Sequence, residues 1–395
     1  MKRVIFALMI IRAVSIPAVA KYSGGSGEPN NPYQIADVND LLTLAADAND
    51  YNKCFILTAN INLTGQTFTQ APIAPDTIID YEQSFDGASF TGIFDGSSHI
   101  ISNLAVSASE KDYIGLFGCL GAGGQIKNLG VVNAIINGKN RIGSLVGFNC
   151  GTISESYVTG SVRGHYTNYY IGGLCGINSS TGSIISCYST STVRDCHEDA
   201  GGLVGSNSGI ISSCYATGSV RGDWEVGGLV GTDYITGTIT MCYATGRVTA
   251  NLGWAGGLCG IVYSESIITD CFWDIQTSGQ TTTAGPFGTG KTTAEMKTKS
   301  TFTDAGWDFV WETVNGPNDI WAICEGLSYP KLAWQFIVGD SDNDKGVDFT
   351  DFALMGDKWL QADSTLYCGG TDATGDEWVD LDDLDALVEN WLLDL

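Results

Sequence analysis

Positive charge is what this chain has least of. Its 395 residues hold 19 Lys plus Arg against 44 Asp plus Glu, a formal net charge of −25. Binding of nucleic acid or of an anionic membrane surface needs clustered cations that release counterions, so both are excluded as bulk partners. Histidine is nearly missing, with three residues at His99, His165 and His197. Cys196-His197-Glu198-Asp199 therefore lacks the second cluster that a zinc site needs, and no Ser, His and Asp stand at a nucleophilic spacing. After residue 20 no segment has the ~20 consecutive apolar residues that span a bilayer. Proline is scarce too, with 8 residues against 51 glycines. That balance, with abundant Ser and Thr, suits short strands joined by tight turns.

What the chain does have is a repeat. A glycine-flanked core recurs six times: IGLFG (114–118), IGSLVG (142–147), IGGLCG (171–176), AGGLVG (200–205), VGGLVG (226–231) and AGGLCG (255–260). The anchors Leu116, Leu145, Leu174, Leu203, Leu229 and Leu258 are 29, 29, 29, 26 and 29 residues apart. Three short apolar stretches per repeat, with no helix-length segment between them, predict a parallel β-helix over 111–274. One coil cannot bury its apolar face alone, and stacking completes a continuous core. Cys187, Cys214, Cys242 and Cys271 recur 27, 28 and 29 residues apart, each followed by an aromatic residue. In-register strands hold such side chains parallel, which suits buried free thiols better than disulfides. Cys175 and Cys259 share a second position, and the remaining six cysteines cannot be paired from sequence.

The two ends differ from the middle. Met1-Lys2-Arg3, the apolar run from Val4 to Ile11 and Ala18-Val19-Ala20 predict a secretory signal peptide over 1–20. Residues 21–110 form an N-terminal cap and irregular first coils, including a strand at Tyr33-Gln34-Ile35 and a short helix from Asp37 to Asp47. Residues 275–335 break the period and are expected to close the far end of the solenoid. Within them, 285–292 satisfies GxxxxGK[ST], but Thr281-Thr282-Thr283 is no buried strand. We read a turn and a helix start there, with no nucleotide site. Residues 340–395 hold 16 Asp plus Glu against 2 Lys and form a separate acidic module over 338–395.

That module repeats itself at an offset of 32. Asp340, Asp342, Asp344, Asp348 and Asp351 fall at positions 1, 3, 5, 9 and 12 of one loop, and Asp372, Thr374, Asp376, Asp380 and Asp383 repeat them. Carboxylates this dense repel unless a hard cation lies among them, and calcium takes such ligands, with the carbonyls of Gly346 and Trp378 at position 7. Two Ca²⁺ sites are expected, the second weaker because Thr374 replaces a carboxylate. The tandem resembles a dockerin module, which implies a cohesin-like or other surface or scaffold partner. It departs from that pattern at Lys345 and Glu377, where the turn glycine usually stands, and at Phe349-Thr350 and Leu381-Asp382, where the partner-facing pair is small and hydroxylated.

The glycine-flanked cores, with CYATGSV (214–220) and CYATGRV (242–248), resemble the GLUG repeat family. Its members include bacterial surface adhesins and regions flanking surface peptidases. The resemblance implies an all-β, right-handed, single-stranded parallel β-helix of the pectin-lyase-like kind, here followed by the small helical calcium module. Enzymes on such solenoids act on polysaccharides with side chains from adjacent coils. Four residues before the anchor leucines stand Arg141, Tyr170, Asp199, Glu225 and Trp254. Asp199 and Glu225, on strands ~4.8 Å apart, are candidates for a retaining carboxylate pair, and Tyr170 and Trp254 for sugar stacking. The leading expectation is an exported, non-catalytic binding or adhesive scaffold, possessing a glycan-binding face and displayed through the calcium module. The competing class is a polysaccharide hydrolase or lyase on the same face.

Overall fold

The computed structural model describes residues 21–78, 84–164, 169–234, 236–263, 265–283, 287–310, 315–336, 339–341, 347–361, 371 and 378–391. The expected signal peptide, and Asp342, Asp344, Gly346, Asp372, Thr374 and Asp376, lie outside these residues.

Each coil leads with one residue set per face. The anchor leucines are all 0% exposed. They precede a six-stranded parallel sheet running from Phe117–Leu120 through Val146–Asn149, Cys175–Asn178, Val204–Asn207 and Val230–Asp233 to Cys259–Val262. The chain then turns into a nine-stranded sheet, where Ile126, Ile153, Ile184, Ile211, Ile239 and Ile268 stand in register, one per coil. A third, branched sheet of 13 strands closes each coil. Burying one such leucine or isoleucine is worth roughly 2 kcal/mol, available only when a neighbouring coil covers it. The result is one continuous core from Tyr22 to Trp273. Three strands per repeat were expected, and the described coils carry a further short one. Tyr169–Gly172, Glu198–Gly201, Val226–Gly227 and Ala255–Gly256 form a four-stranded sheet of their own. Its closing glycines make this possible: a Cβ on Gly201 would lie 1.9 Å from the Val204 carbonyl oxygen.

At the N-terminal end Val38–Ala46 is a helix whose cap, Asp37, accepts from the amides of Asn39 and Asp40 at 2.8 and 3.0 Å. Its buried Leu41 and Leu44 join the solenoid core. At the far end Thr289–Lys291 adds a parallel strand to Phe272–Asp274. The GTGK run is thus paired backbone rather than a phosphate cradle, and the expected helix start is a single 3₁₀ turn, Glu295–Lys297, followed by a helix over Lys299–Thr303.

The rest of this tail does more than close an end. It lies along the side of the solenoid over the stack Tyr157, Tyr188, Tyr215 and Tyr243, whose ring centroids are 4.9, 4.8 and 5.0 Å apart. Trp334 Nε1 donates to the Ser186 carbonyl at 3.0 Å, and the Tyr243 hydroxyl donates to the Pro330 carbonyl. Trp307 and Trp321 are fully buried there. Beneath the aromatic stack, Cys187, Cys214, Cys242 and Cys271 are free and buried, as their spacing predicts. Each of the first three amides donates to the sulfur one coil on, at 3.4, 3.3 and 3.4 Å. Burial pushes the Cys187 and Cys242 thiols well above the usual range. Cys175 and Cys259 are likewise free, whereas Cys324 is disulfide-bonded.

Candidate functional site

The column singled out in the sequence is a backbone device before it is a surface. Arg141, Tyr170, Asp199 and Glu225 have φ of 54°, 66°, 59° and 48°, in the left-handed region, and Tyr113 continues the column at 59°. Such residues cost free energy unless the surroundings hold them. What holds them is the last glycine of the next coil's core. A Cβ on Gly176, Gly205, Gly231 or Gly260 would stand 2.4, 2.5, 2.5 or 2.4 Å from the carbonyl carbons of Arg141, Tyr170, Asp199 and Glu225 in turn. The glycine and the column are therefore two halves of one corner. Trp254, in the last coil, lies outside this left-handed series.

Side chains on the first part of the column are engaged with one another. The Arg141 guanidinium is 8% exposed, meets Asp112 at 3.1 Å, and lies 4.9 and 5.7 Å from the ring centroids of Tyr113 and Tyr170. The Tyr170 and Tyr234 hydroxyls are in hydrogen-bonding contact. Asp199 is only 5% exposed. Burial pushes its carboxyl up to about 7, Thr232 opposes this, and Glu225 and Glu198 add to it. Glu225 is shifted upward as well, by burial and by Glu198, and its Oε2 is buried without a hydrogen-bond partner. The structure thus brings Asp199 and Glu225 into one electrostatic cluster but encloses the Asp199 carboxyl, so a sugar ring has little access to it.

Exposed aromatic surface begins where this packing ends. Trp254 is 58% exposed and meets Trp224 edge-on at 5.8 Å, while Tyr263 stacks on Tyr234 at 5.0 Å. His197 Nδ1 lies 3.5 Å from Asp223 and its Nε2 3.7 Å from Glu198. Among the described residues no three His, Cys, Asp or Glu side chains converge as metal ligands.

Sequence reasoning missed a second buried column. Asn149 donates to Asn178, Asn178 to Asn207 and Asn207 to Asp233, at 2.8, 2.8 and 2.6 Å, all four residues being 0% exposed. The ladder runs one way because each amide has a donor to pass on, and it stops where Asp233 has none. Burial pushes the Asp233 carboxyl up to about 6 against the hydrogen bonds of Asn207 and Ser266. The same 29, 29 and 26 spacing as the leucines was the available signal.

In the acidic module the described ligand candidates frame two helices. Asp348 caps Phe349–Lys358 in a box with Asp351, and Asp380 caps Leu381–Glu389 in a box with Asp383. The Asp351 carboxylate accepts from the amides of Ser341 and Asp348 at 2.6 and 2.9 Å. Asp351 and Asp383 are 1% and 0% exposed, whereas Trp378 is exposed. Buried carboxylates at the ends of both loops are hard oxygen donors, which is a fit to the calcium expectation. Val347, Met355, Val379 and Leu387 form the module's core.

Three segments, 167–194, 197–221 and 222–249, match the family model described as the GLUG motif. Halomucin of Haloquadratum walsbyi is 34% identical over 159 residues, which are 38% of this chain and 2% of halomucin. A protein of Evansella cellulosilytica, provisionally named a Gly-rich membrane protein, is 36% identical over 109 residues, 27% of this chain and 11% of that one. The chain thus spans only a small part of the curated relatives it matches. A Bacteroides ovatus crystal structure, provisionally titled an immunoglobulin A1 protease, superposes with a TM-score of 0.56 at 23% identity, covering 80% of this chain and 96% of that one. This last likeness is one of fold. The chain carries three GLUG motifs in the middle of a parallel β-solenoid.

Proposed function

We propose that the chain is an exported, surface-associated binding scaffold without catalytic activity, displayed through a calcium-dependent dockerin-like module. The observation that carries the non-catalytic part is the commitment of the corner column to packing: Arg141 is paired and sandwiched, and Asp199 is 5% exposed. A place at the cell surface is supported by the similarity to halomucin and to a Gly-rich membrane protein, and by the signal peptide read over 1–20. No helix among the described residues is long and apolar enough to cross a membrane. We take the coil as right-handed, the hand that parallel β crossovers adopt.

Calcium would be held by Asp340, Asp342, Asp344, Gly346, Asp348 and Asp351 in the first loop, and by Asp372, Thr374, Asp376, Trp378, Asp380 and Asp383 in the second. It would neutralise the clustered carboxylates and order the helices that Asp348 and Asp380 cap. The partner is a cohesin-like or other surface or scaffold protein. Calorimetry on the full chain should show two calcium-binding events, the weaker one abolished by Asp383→Asn and the stronger by Asp351→Asn. Absence of calcium uptake would remove the module from the proposal.

The nearness of Asp199 and Glu225 favours one second reading, polysaccharide cleavage by hydrolysis or elimination. Reducing-end release from a panel of polysaccharides, compared with Asp199→Asn and Glu225→Gln, decides between the two. Our reading expects no release above the variants, and release that either substitution abolishes would replace it.

A further inference from the structure

Every exposed cation of the central coils stands on one face. Between Lys139 and Lys291 the sequence contains no lysine and five arginines. Arg141 is buried against Asp112, and the other four, Arg163, Arg194, Arg221 and Arg247, are exposed. Their spacings of 31, 27 and 26 residues do not follow the leucine period, so the sequence alone does not align them.

The sheet does. Arg163 is opposite Arg194, and Val193 is opposite Val220, so that Arg194 and Arg221 follow paired, buried valines. Arg221 in turn faces Thr249. The Val220 amide donates to the Arg247 carbonyl, which sets Arg247 diagonally beyond Arg221 on the same outward side, two residues before Thr249. Neighbouring strands lie ~4.8 Å apart, so the guanidinium groups form a contiguous strip with about one charge per coil. Beside them runs a row of hydroxyls, Ser161 opposite Thr192, and Ser219 next to it through the Val193 amide.

Local carboxylates do not neutralise the strip. Asp195 pairs with Arg163 at 2.7 Å, and Asp223 faces His197 and Asn251. Among the described ion pairs none involves Arg194, Arg221 or Arg247. Like charges opposite one another on a sheet are unfavourable in the free chain, and a bound polyanion reverses that sign.

We propose that this strip binds a linear acidic polysaccharide, one bearing carboxylate or sulfate groups. Arginine's planar fork matches both oxyanions bidentately. One charge per coil is close to the length of one sugar ring, and the Ser and Thr row offers hydrogen bonds to sugar hydroxyls. Single-stranded nucleic acid fits less well. Base stacking needs exposed rings, and the tyrosine stack of this same sheet is covered by Trp307, Trp321 and Trp334. The inference rests on the binding-scaffold reading but uses neither the corner column nor calcium.

The test is affinity electrophoresis of the full chain, in chelator, through gels containing polygalacturonate, dextran sulfate, neutral dextran or single-stranded oligothymidylate. Retardation by one or both acidic polysaccharides, weakening as salt rises, is expected, and none by neutral dextran. Arg194→Ser with Arg221→Ser should lower the affinity about tenfold, and Arg247→Ser alone about threefold, without changing the melting temperature. The Arg247 variant stands as the independent check if the double variant does not fold. Failure of both acidic polysaccharides to retard the chain, retardation that ignores the arginine substitutions, or equal arginine-dependent retardation by oligothymidylate overturns the proposal. None of these outcomes touches the calcium titration, so the strip and the display module can fail separately.

Discussion

Two columns stand on one sheet of this solenoid and have opposite fates. Tyr157, Tyr188, Tyr215 and Tyr243 stack outward and are covered by the tail, while Arg163, Arg194 and Arg221, a few residues further along the same coils, remain bare. A stacked repeat turns any recurring residue into a column, whatever its chemistry. Whether that column becomes core or surface depends on what else the chain lays over it. The rings offer apolar area with a hydroxyl at the tip, so a tail rich in tryptophan pays little to bury them once Pro330 and Gln335 accept those hydroxyls. Guanidinium groups have no such cover, because burying an unpaired charge costs several kcal/mol.

Removing the cover should have the largest effect. Trp321, fully buried against Tyr215, Tyr243 and Trp307, should cost about 3–5 kcal/mol when changed to Ala, read by denaturant unfolding. If the tail were a loose appendage, limited proteolysis would release it equally from the parent and the variant. Next comes the corner itself. Gly231→Ala drives a Cβ to 2.5 Å from the Asp199 carbonyl carbon and should cost about 1–3 kcal/mol. Gly356→Ala, in a helix and with nothing within 4 Å, should instead stabilise by about 0.5–1 kcal/mol.

A smaller effect is expected from pH. Burial raises Asp199 to about 7 and Asp233 to about 6, above the ordinary carboxyl value of 3.8. The folded state therefore holds these protons more tightly than the unfolded one. Their favourable contribution is complete below about 4 and is lost as pH rises through about 6 and 7. The melting temperature should be higher at pH 5 than at pH 8, and Asp233→Asn, which extends the amide ladder by one member, should raise it at pH 8 and flatten the slope. A slope unchanged in Asp199→Asn and Asp233→Asn together would show that other groups set it. Smallest of all, Arg194→Ser should move stability by no more than about 0.5 kcal/mol, since an exposed, unpaired arginine contributes little to the folded state.

Much of the fold was legible because its signals are local and periodic. The leucine spacing, the cysteine column and the Asp37-capped helix all appear in the structure where the residues place them. The asparagine ladder was equally legible and was passed over, since Asn in a turn-rich chain reads as a turn residue unless its recurrence is counted. The arginine strip was harder. The register shift between Val193 and Cys196 absorbs the uneven spacing, and only pairing shows it. For the candidate site, the identity of the corner residues was readable, but the closing of Asp199 and the sandwiching of Arg141 were not, because both depend on partners one or more coils away.

By itself the sequence determined that this chain coils, how often, and which residues each coil buries, because a period of 26 to 29 residues with an apolar anchor admits few other solutions. Only the tertiary structure decided which columns stay open to a ligand. Exposure belongs to no residue alone: it depends on the tail's path over the tyrosines, on left-handed corners seated on glycines of the next coil, and on a strand register that brings three arginines into line.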